Sequence, residues 1–263
     1  MTTTELLLDL PGSDGHGDHL RYHVRLATSQ ADVVAAQRLR HLVFAIEGGA
    51  ATPGPDGLDA EDFDDRCDHL IVWHQDRSGA AQAVATFRLL PPHSNDATPR
   101  GSGLDAHRDF GLMPLEGLLD ATVEVGRICV HPDHRGGAVV SLLWNATARY
   151  LHLTGYRYLL GCGSLALSDG GRSAAAFWDF ALTGYLAPAQ RRCRPREPIA
   201  IGSLQRAEPL AVPPLLKGCL RLGAQICGPP GRSEMFGTAD FLLLLDSRGL
   251  DRRYRRHYLG PDC

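Results

Sequence analysis

A glutamate and an arginine stand three residues apart in the apolar segment TVEVGRICV, which begins at Thr122. Glu124 and Arg127 are costly to bury within a strand unless they are paired or functional. A partly buried carboxylate can take the proton that an attacking ammonium must lose, and an arginine can hold a carboxylate with two hydrogen bonds. A purely structural buried ion pair stays open as the alternative, because such pairs also occur in ordinary cores.

The apolar residues of this segment change parity along the strand. Val123 and Val125 stand at odd positions, whereas the apolar residues after Arg127 stand at even ones. Alternate residues of a strand point to opposite faces, so the change requires one extra residue. We therefore predict a β-bulge at Gly126 or Arg127. The bulge would place five residues on one polar face: Thr122, Glu124, Arg127, Cys129 and His131.

The strand is followed by the turn HPDHRGG and by an apolar segment with helical spacing. Arg135, Gly136 and Gly137 stand at the start of that helix, where free backbone N–H groups bind anions. An ordinary strand–helix connection also uses glycine, so both interpretations stay open on the local pattern. His131 and His134 lie in the same turn, but no third Cys or His is close in sequence, which argues against a metal site.

The pattern V-x-P-x-x-R-G-G, which begins at Val130, resembles the acyl-donor loop of the GNAT acyltransferase superfamily. The longer stretch EVGRICVHPDHRGGAVVSLLWNATARYLHLTGYRYLLGCGSL resembles, more narrowly, the bacterial ornithine lipid N-acyltransferases. These enzymes join a 3-hydroxyacyl chain from acyl carrier protein to the α-amine of ornithine. The resemblance makes four residues candidates for binding the acyl donor: Val130, Arg135, Gly136 and Gly137.

The loop departs from the superfamily pattern in one respect. The usual R-G-x-G has its second glycine one position later, whereas here Gly137 directly follows Gly136. This departure weakens the case for a tight pyrophosphate cradle and for coenzyme A as donor. A carrier protein presents only a phosphopantetheine arm and has less need of such a cradle, so the resemblance implies acyl carrier protein as the donor.

The chain also resembles the acyl-homoserine lactone synthases, at FRLLP with Arg88, at FGLMPL and at the pair Glu124 and Arg127. In that group the matching residues line the acyl and amino-substrate site. The resemblance therefore makes Glu124, Arg127 and Arg88 candidate catalytic residues, without assigning the acid or the base. An isolated arginine on a strand is otherwise a solvated residue.

Two further stretches resemble the ornithine acyltransferases and supply candidate substrate contacts. In LRHLVFAIEGGA, Phe44 is expected in the core or in the wall of the acyl pocket, and Glu47 needs a partner because a helix C-terminus disfavours a carboxylate. The acidic loop TPGPDGLDAEDFDDR would attract a dication such as ornithine, although most of it is expected to be solvated surface. Asp62 and Asp65 are our candidates there.

The segments PPLLKGCLRLGA and FGTADF resemble the same family near the C-terminus. Lys217 and Arg221 lie about one helical turn apart, where they are placed to meet an anion such as the phosphopantetheine phosphate. The tail LDRRYRRHYL is basic and is either a docking segment for acidic carrier protein or anionic lipid, or a frayed terminus.

Composition limits the function classes. The chain has 263 residues, 44% of them hydrophobic, and a net charge of −3, so nothing in the charge balance points to nucleic acid. Seven scattered cysteines without a C-x-x-C pair fit a reducing cytosol. No apolar segment near the start is long enough for a signal peptide or a membrane span. We expect a cytoplasmic protein, with peripheral contact at the inner membrane left open.

The elements that must position these residues follow the order β-α-β-β-(α)-β-α-β-α-α-β. This order predicts an α+β (mixed α/β) domain and agrees with the GNAT N-acyltransferase fold that the resemblance implies: a mostly antiparallel central sheet with a bulged central strand, flanked by helices. We expect a disordered leader at 1–20, a single GNAT-like domain at 21–246 and a basic tail at 247–263.

The resemblance implies an N-acyltransferase that forms an amide between a (3-hydroxy)acyl chain from acyl carrier protein and the α-amine of L-ornithine, giving lyso-ornithine lipid. No metal or bound cofactor is expected. Two alternatives stay open: a synthase of the same fold that acylates another amino acid or makes an autoinducer, and a non-catalytic module that binds acyl carrier protein or lipid.

Overall fold

The computed structural model describes residues 8–13, 19–52, 54–55, 57–76, 78–92, 103–135 and 137–249. These residues form two compact units. Unit 1 lies within Met1–Leu89 and Gly126–Gly155, and unit 2 lies within Leu90–Val125 and Tyr156–Tyr254.

The strands and α-helices of the described residues are, in chain order, β1 (Leu8–Ser13), β2 (His19–Leu26), α1 (Gln30–Arg40), β3 (Asp68–Gln75), β4 (Ala81–Leu90), β5 (Phe110–Gly111), β6 (Thr122–Val130), α2 (Gly137–Thr154), β7 (Tyr158–Ala166), α3 (Arg172–Leu182), β8 (Arg194–Pro195), α4 (Pro214–Arg221), β9 (Gln225–Ile226), β10 (Gly231–Ser233) and β11 (Thr238–Asp246). A π-helix over His41–Glu47 continues α1, and 3-10 turns fill several connections, among them Asp64–Arg66, Asp105–His107 and Met113–Ala121.

Unit 1 is an antiparallel sheet with helices packed on it. β2 pairs with β1 and β3, and β3 pairs with β4. β6 follows β4 in the strand order, and the N–H of His131 donates to the carbonyl of Val84 at 2.8 Å. The core of this unit is apolar: Phe87 is fully buried, with Trp144 of α2 edge-on at 5.7 Å between ring centroids. Each such buried side chain contributes about 1.5–3 kcal/mol.

Unit 2 contains the parallel pair of β6 and β7, followed by antiparallel β11 and β10, with β9 also on β11. The register of β6 on β7 covers four residues and ends at Val125 opposite Gly161. A Cβ at Gly161 would lie 2.7 Å from the carbonyl oxygen of Val125, so this position requires glycine. One face of β7 and β11 is covered by α3 and α4, through Phe177 and Leu216.

The irregularity that we predicted in β6 lies at Arg127, which has φ of 50°. Among the described residues, Arg127 is the one non-glycine position with positive φ, so the strained backbone falls on the arginine rather than on Gly126. Such a conformation costs about 1–3 kcal/mol and persists only when surrounding contacts hold it.

The predicted first helix is present, but its buried face differs. Ser29 caps it by accepting from the N–H of Asp32 at 3.3 Å, and it ends at Gly48. The apolar spacing of Val33, Ala36, Leu39, Val43 and Ile46 predicts one core-facing side, yet Ile46 is 69% exposed. The π-helical turn explains the difference, because it changes the angular step and shifts the later residues out of phase.

The structure changes our expectation about the start of the chain, whereas most of the basic tail lies outside the described residues. We expected a poorly ordered leader, but Leu8–Ser13 forms β1 on the edge of β2. An edge strand is held by backbone hydrogen bonds and needs no apolar pattern, which is why the sequence did not reveal it. The basic tail lies largely outside the described residues, including its four arginines: Arg252, Arg253, Arg255 and Arg256.

Two searches of the described part of the chain bear on membrane and metal. None of its helices has the length and apolar character that crossing a bilayer requires. No group of three His, Cys, Asp or Glu side chains in that part is placed to hold a metal ion.

Candidate active site

Unit 1 contains a buried group of three arginines and three carboxylates, which we call the charge cluster. Its residues come from the helix α1, the acidic loop, β4 and β6. They are Arg40, Asp59, Glu61, Asp64, Arg88 and Arg127. The sequence analysis selected two of these six, Arg88 and Arg127, and the structure brings both to the same carboxylate.

That shared carboxylate is Glu61. Its Oε2 atom lies 2.6 Å from Nη1 of Arg88 and 2.9 Å from Nη2 of Arg127. Arg127 also reaches Asp59, with 3.2 Å between Nε and Oδ2. The acidic loop is thereby tied to two strands, and these contacts account for the strained backbone of Arg127 in β6.

Asp64 contacts the residues on the other side of the cluster. Its Oδ2 accepts from Nη2 of Arg40 at 2.5 Å and from Nε2 of Gln37 at 2.9 Å. Its Oδ1 lies 3.4 Å from Nη1 of Arg88. Arg40 is completely buried, and its Nη2 also donates to the carbonyl of Asp59 at 2.5 Å. Asp64 therefore joins α1 to β4 through charged hydrogen bonds.

The formal charges of the cluster balance at three positive and three negative. Burial acts to raise the pKa of Asp64, but the hydrogen bond and charge of Arg40, with Gln37 and Arg88, outweigh it and lower the pKa to about 2. For Asp59, burial prevails over Arg127 and Arg40, and its pKa is raised. A buried set of charges is tolerable only when each member has partners of this kind.

Sequence reasoning missed Arg40, Asp59, Glu61 and Asp64. Asp62 and Asp65, our candidates in the same loop, are exposed and lie outside the cluster. The spacing of the buried acids, D-x-E-x-x-D from Asp59, was visible in the sequence, but nothing in a loop without regular periodicity indicates which acids turn inward. In the 3-10 turn Asp64–Arg66, the backbone places Asp64 in the interior and Asp65 at the surface.

Glu124, on the unit 2 part of β6, is 7% exposed. Its Oε2 accepts the N–H of Asp105 at 2.6 Å, and its Oε1 accepts the N–H of Ala106 at 2.8 Å. These bonds hold the start of the 3-10 turn Asp105–His107. The ion pairs described for Arg127 are with the acidic loop.

Two further candidates, Glu47 and Arg135, contact each other in unit 1. Nη1 and Nη2 of Arg135 donate to Oε1 and Oε2 of Glu47 at 2.6 and 2.5 Å, and Nε lies 3.4 Å from the carbonyl of Val130. This hydrogen-bonded pair lowers the pKa of Glu47 and raises that of Arg135. Glu47 has the partner that its unfavourable place on the helix dipole required, and the donor loop is tied to the π-helix.

The remaining candidates are placed as follows. Phe44 is half-buried on the π-helix. Gly137 begins α2, and a Cβ there would meet nothing within 4 Å, so space is open beside this helix start. Lys217 is exposed on α4 in unit 2, and Gly136 lies outside the described residues.

The histidines of the turn after β6 belong to an aromatic group rather than to a metal site. The Tyr22 hydroxyl lies 3.0 Å from Nδ1 of His134, and the rings of His74 and His134 are 4.9 Å apart. Burial, together with the neighbouring histidines, lowers the pKa of His134.

Residues 39–145 match the family described as an acetyltransferase (GNAT) domain. This match and the relatives reported next support an acyltransferase with a GNAT domain. The predicted fold class is confirmed.

The sequence is 34% identical over 252 residues to the L-ornithine N(alpha)-acyltransferase of Rhodobacter capsulatus, covering 91% of this chain and 95% of that protein. It is 31% identical over 270 residues to the protein of the same name from Rhizobium meliloti, covering 96% and 89%. The chain belongs to the L-ornithine N(alpha)-acyltransferase family.

Solved structures agree on the fold. A CoA-dependent acyl-homoserine lactone synthase, BjaI, superposes with a TM-score of 0.51 and 14% identity, covering 98% of this chain and 91% of that one. FeeM, an N-acyl amino acid synthase from uncultured soil microbes, gives 0.50 and 11%, covering 88% and 93%. At these identities the likeness concerns the fold alone.

Proposed function

We propose that this enzyme transfers a (3-hydroxy)acyl chain from acyl carrier protein to the α-amine of L-ornithine, which gives lyso-ornithine lipid. The observation that carries the proposal is the match, over nearly the whole length, to relatives named L-ornithine N(alpha)-acyltransferase. The donor and the lipid product are inferences from the resemblance of the donor loop.

In the proposed reaction the neutral α-amine attacks the thioester carbonyl carbon. The C–N bond forms, the C–S bond breaks, and the thiol of the phosphopantetheine arm leaves with a proton. The ammonium must first lose one proton, and we assign its removal to Glu124, directly or through water. Backbone N–H groups at the irregularity of β6 would stabilise the negative charge on the carbonyl oxygen.

Direct attack is supported by the state of two thiols. Burial raises the pKa of Cys129 to about 12, and burial with nearby carboxylates raises that of Cys162. A thiol with a raised pKa forms little of the nucleophilic thiolate, so an acyl-cysteine intermediate is disfavoured at either residue.

Arg88 and Arg127 act in this proposal through their fixed position. The charge cluster holds both guanidinium groups and the acidic loop rigidly, which pre-organises unit 1 for substrate binding. We assign the surface carboxylates Asp62 and Asp65 to attraction of the cationic amino acid and Phe44 to the acyl chain.

Val130, Arg135, Gly136, Gly137 and Lys217 are assigned to the acyl donor. The open space beside Gly137 supports this assignment, because a helix start without side chains lets an anionic group approach its N–H groups. When the donor binds, Arg135 would give up part of its contact with Glu47 and would contact the donor instead. Peripheral contact with a membrane is proposed as the route by which the lipid product leaves.

The test is a reconstituted assay with purified protein, 3-hydroxyacyl carrier protein and L-ornithine. Mass spectrometry should detect an acyl-ornithine amide, with release of one thiol for each amide formed. The same acyl chain as a coenzyme A thioester tests the donor, and a panel of amino acids tests the acceptor. Carrier-protein binding without any amide from any acceptor would contradict the proposal in favour of a non-catalytic binding module.

A further inference from the structure

One face of the sheet in unit 2 carries polar side chains beside the buried apolar residues Leu160 and Leu242. Paired residues in register lie on the same face, and the register places Glu124 beside Leu160, and Asp240 beside Ser164. Cys162 lies between these two positions on β7 and has the same parity. The opposite face is the one covered by α3 and α4, where a Cβ on Gly163 would lie 2.6 Å from a methyl group of Leu216.

We interpret the polar part of this face as the floor of a recess. Cys162 and Ser164 are exposed to solvent, although they lie on a strand that is paired along its whole length with β11. Protein nevertheless surrounds the Cys162 thiol closely enough that burial is the main cause of its raised pKa. Solvent access together with enclosure is the property of a residue at the bottom of a recess.

Four carboxylates surround this floor. The charges of Asp240, Glu124, Asp109 and Asp105 all act on the Cys162 thiol. Burial raises the pKa of Asp109, and the negative charges of Asp240 and Asp105 raise it further. Arg108, which pairs with Asp105 at 3.3 Å, is itself largely exposed. The electrostatic field in the recess is therefore negative.

Asp240 is a buried carboxylate whose partners among the described residues carry no positive charge. It is 8% exposed, and its hydrogen-bond donors are neutral hydroxyls: Thr238, at 2.7 Å, and Ser164. Within the described residues, no arginine or lysine forms an ion pair with it. A buried carboxylate without a cation is costly unless a ligand supplies the charge. Asp240 also belongs to FGTADF, a segment to which the proposed function assigns no role.

We infer that this recess binds the side-chain ammonium of the amino acid acceptor, with Asp240 as its main carboxylate and Asp109 at its rim. The inference rests on the proposed function. It adds the residues that distinguish a diamino acid from an amino acid with an uncharged side chain. Ser164 and Thr238 orient the Asp240 carboxylate toward the ammonium.

The dimensions allow an extended diamino acid such as ornithine. Asp240 is in register with Ser164, four residues beyond the position opposite Glu124, which is about 13 Å along the strands. β7 lies between β6 and β11, which adds two strand spacings, about 10 Å across the sheet, so the two backbone positions are roughly 16 Å apart. The two nitrogens of extended ornithine are five bonds, roughly 6 Å, apart, and two hydrogen bonds of about 2.8 Å each bring the span to about 12 Å. The side chains of Glu124 and Asp240 must therefore cover the remaining distance of about 4 Å for one acceptor to contact both carboxylates.

The test compares L-ornithine with L-norvaline, which has the same carbon skeleton without the side-chain amine. We expect Asp240→Asn to lower kcat/KM for ornithine by about 10- to 100-fold, the usual effect of losing a hydrogen bond to a charged group. Turnover of norvaline should stay within about threefold of the wild type, because norvaline makes no such bond. Asp246→Asn is the matched control, since it lies on the same strand but pairs with Arg157.

The possible outcomes separate the two proposals. If the wild type makes no acyl-ornithine, the proposed function fails. If it does, but Asp240→Asn keeps the ornithine-to-norvaline preference, the recess inference alone is overturned. A changed preference between 3-hydroxyacyl and plain acyl donors, with acceptor preference intact, would also overturn it and would assign the recess to the acyl hydroxyl. Asp109→Asn, at an exposed position, should reduce the same preference severalfold and keeps the test independent of any folding defect in Asp240→Asn.

Discussion

The charge cluster of unit 1 and the recess of unit 2 both contain several carboxylates, but they differ in how the charge is compensated. In the charge cluster, three arginines face three carboxylates, and burial is nearly complete. In the recess, the side-chain hydrogen-bond donors to Asp240 among the described residues are the neutral hydroxyls of Thr238 and Ser164. Buried charges that have counter-charges stabilise the folded structure. A buried charge without a counter-charge is unfavourable unless a ligand supplies the opposite charge.

The largest effect is expected at Glu124, whose carboxylate is held by backbone N–H groups. Glu124→Ala should reduce amide formation about 100- to 10,000-fold, the usual contribution of a general base. Because the N–H groups of Asp105 and Ala106 lose their acceptor, the free energy of unfolding should also fall by about 1–3 kcal/mol. Steady-state kinetics and urea denaturation measure the two effects separately.

Glu124→Asp serves as the companion variant, because it keeps the charge but withdraws the carboxylate by one methylene. A pH–rate profile that shifts in Glu124→Asp supports a role in proton transfer. Full activity in Glu124→Ala, with the fold intact by circular dichroism, would exclude Glu124 as the base.

Removing an arginine from the charge cluster tests its structural role. Arg40→Met keeps most of the side-chain volume but leaves Asp59 and Asp64 buried without that guanidinium. We expect the free energy of unfolding to fall by about 3–5 kcal/mol, the usual result of breaking a buried pair on one side. Arg38→Met, on the exposed face of the same helix, should change it by less than about 0.5 kcal/mol. Equal effects of the two variants would show that the cluster does not stabilise unit 1.

The contribution of the Asp64 charge to the free energy of unfolding can be measured through its pH dependence. Its pKa is lowered from 3.8 to about 2, so its charge stabilises the folded state above pH 3.8, and this stabilisation is lost as the pH falls toward 2. The difference in unfolding free energy between wild type and Asp64→Asn should include about 2 kcal/mol that disappears over this range. Denaturation curves between pH 2 and pH 7 measure it. Asp62→Asn, in the exposed part of the loop, should differ from the wild type by less than about 0.5 kcal/mol throughout.

Neutralising the recess should have the opposite consequence for stability. Burial raises the pKa of Asp240, so its ionisation opposes folding and this cost grows as the pH rises. Asp240→Asn keeps an acceptor for Thr238 and should leave the free energy of unfolding at pH 8 unchanged or about 1 kcal/mol higher. A loss comparable to that of Arg40→Met would contradict the contrast between the two regions.

The smallest effect is expected at the pair of Arg135 and Glu47, whose side chains are 48% and 41% exposed. Arg135→Ala should change stability by at most about 1 kcal/mol, and less at high salt. If Arg135 binds the donor, KM for the acyl carrier thioester should rise while the acceptor KM stays constant. An unchanged donor KM would remove Arg135 from the donor site.

Much of the secondary structure followed from local patterns. The apolar run Ala81–Leu90, after the turn-like DRSG, predicts a strand, and the structure has one with these bounds. The helical spacing of Val139, Leu142 and Leu143 after Gly137 predicts α2, in which all three residues are buried. Local periodicity suffices here because each element buries one stripe of side chains against its unit. The π-helix was not predictable, since its sequence is compatible with a regular helix and long-range contacts favour the wider turn.

Parity along TVEVGRICV located the irregularity in β6, because parity is a local property, and the resemblance of the donor loop and its neighbouring motifs indicated the fold class and the acyltransferase class. The tertiary structure decided which acids matter. In the loop, Asp59 and Asp64 are buried while Asp62 and Asp65 remain in solvent, and Asp240 faces the recess because of its register with Ser164. Which charges are compensated depends on partners distant in the chain, such as Arg40, Arg88 and Arg127, and no local pattern encodes those distances.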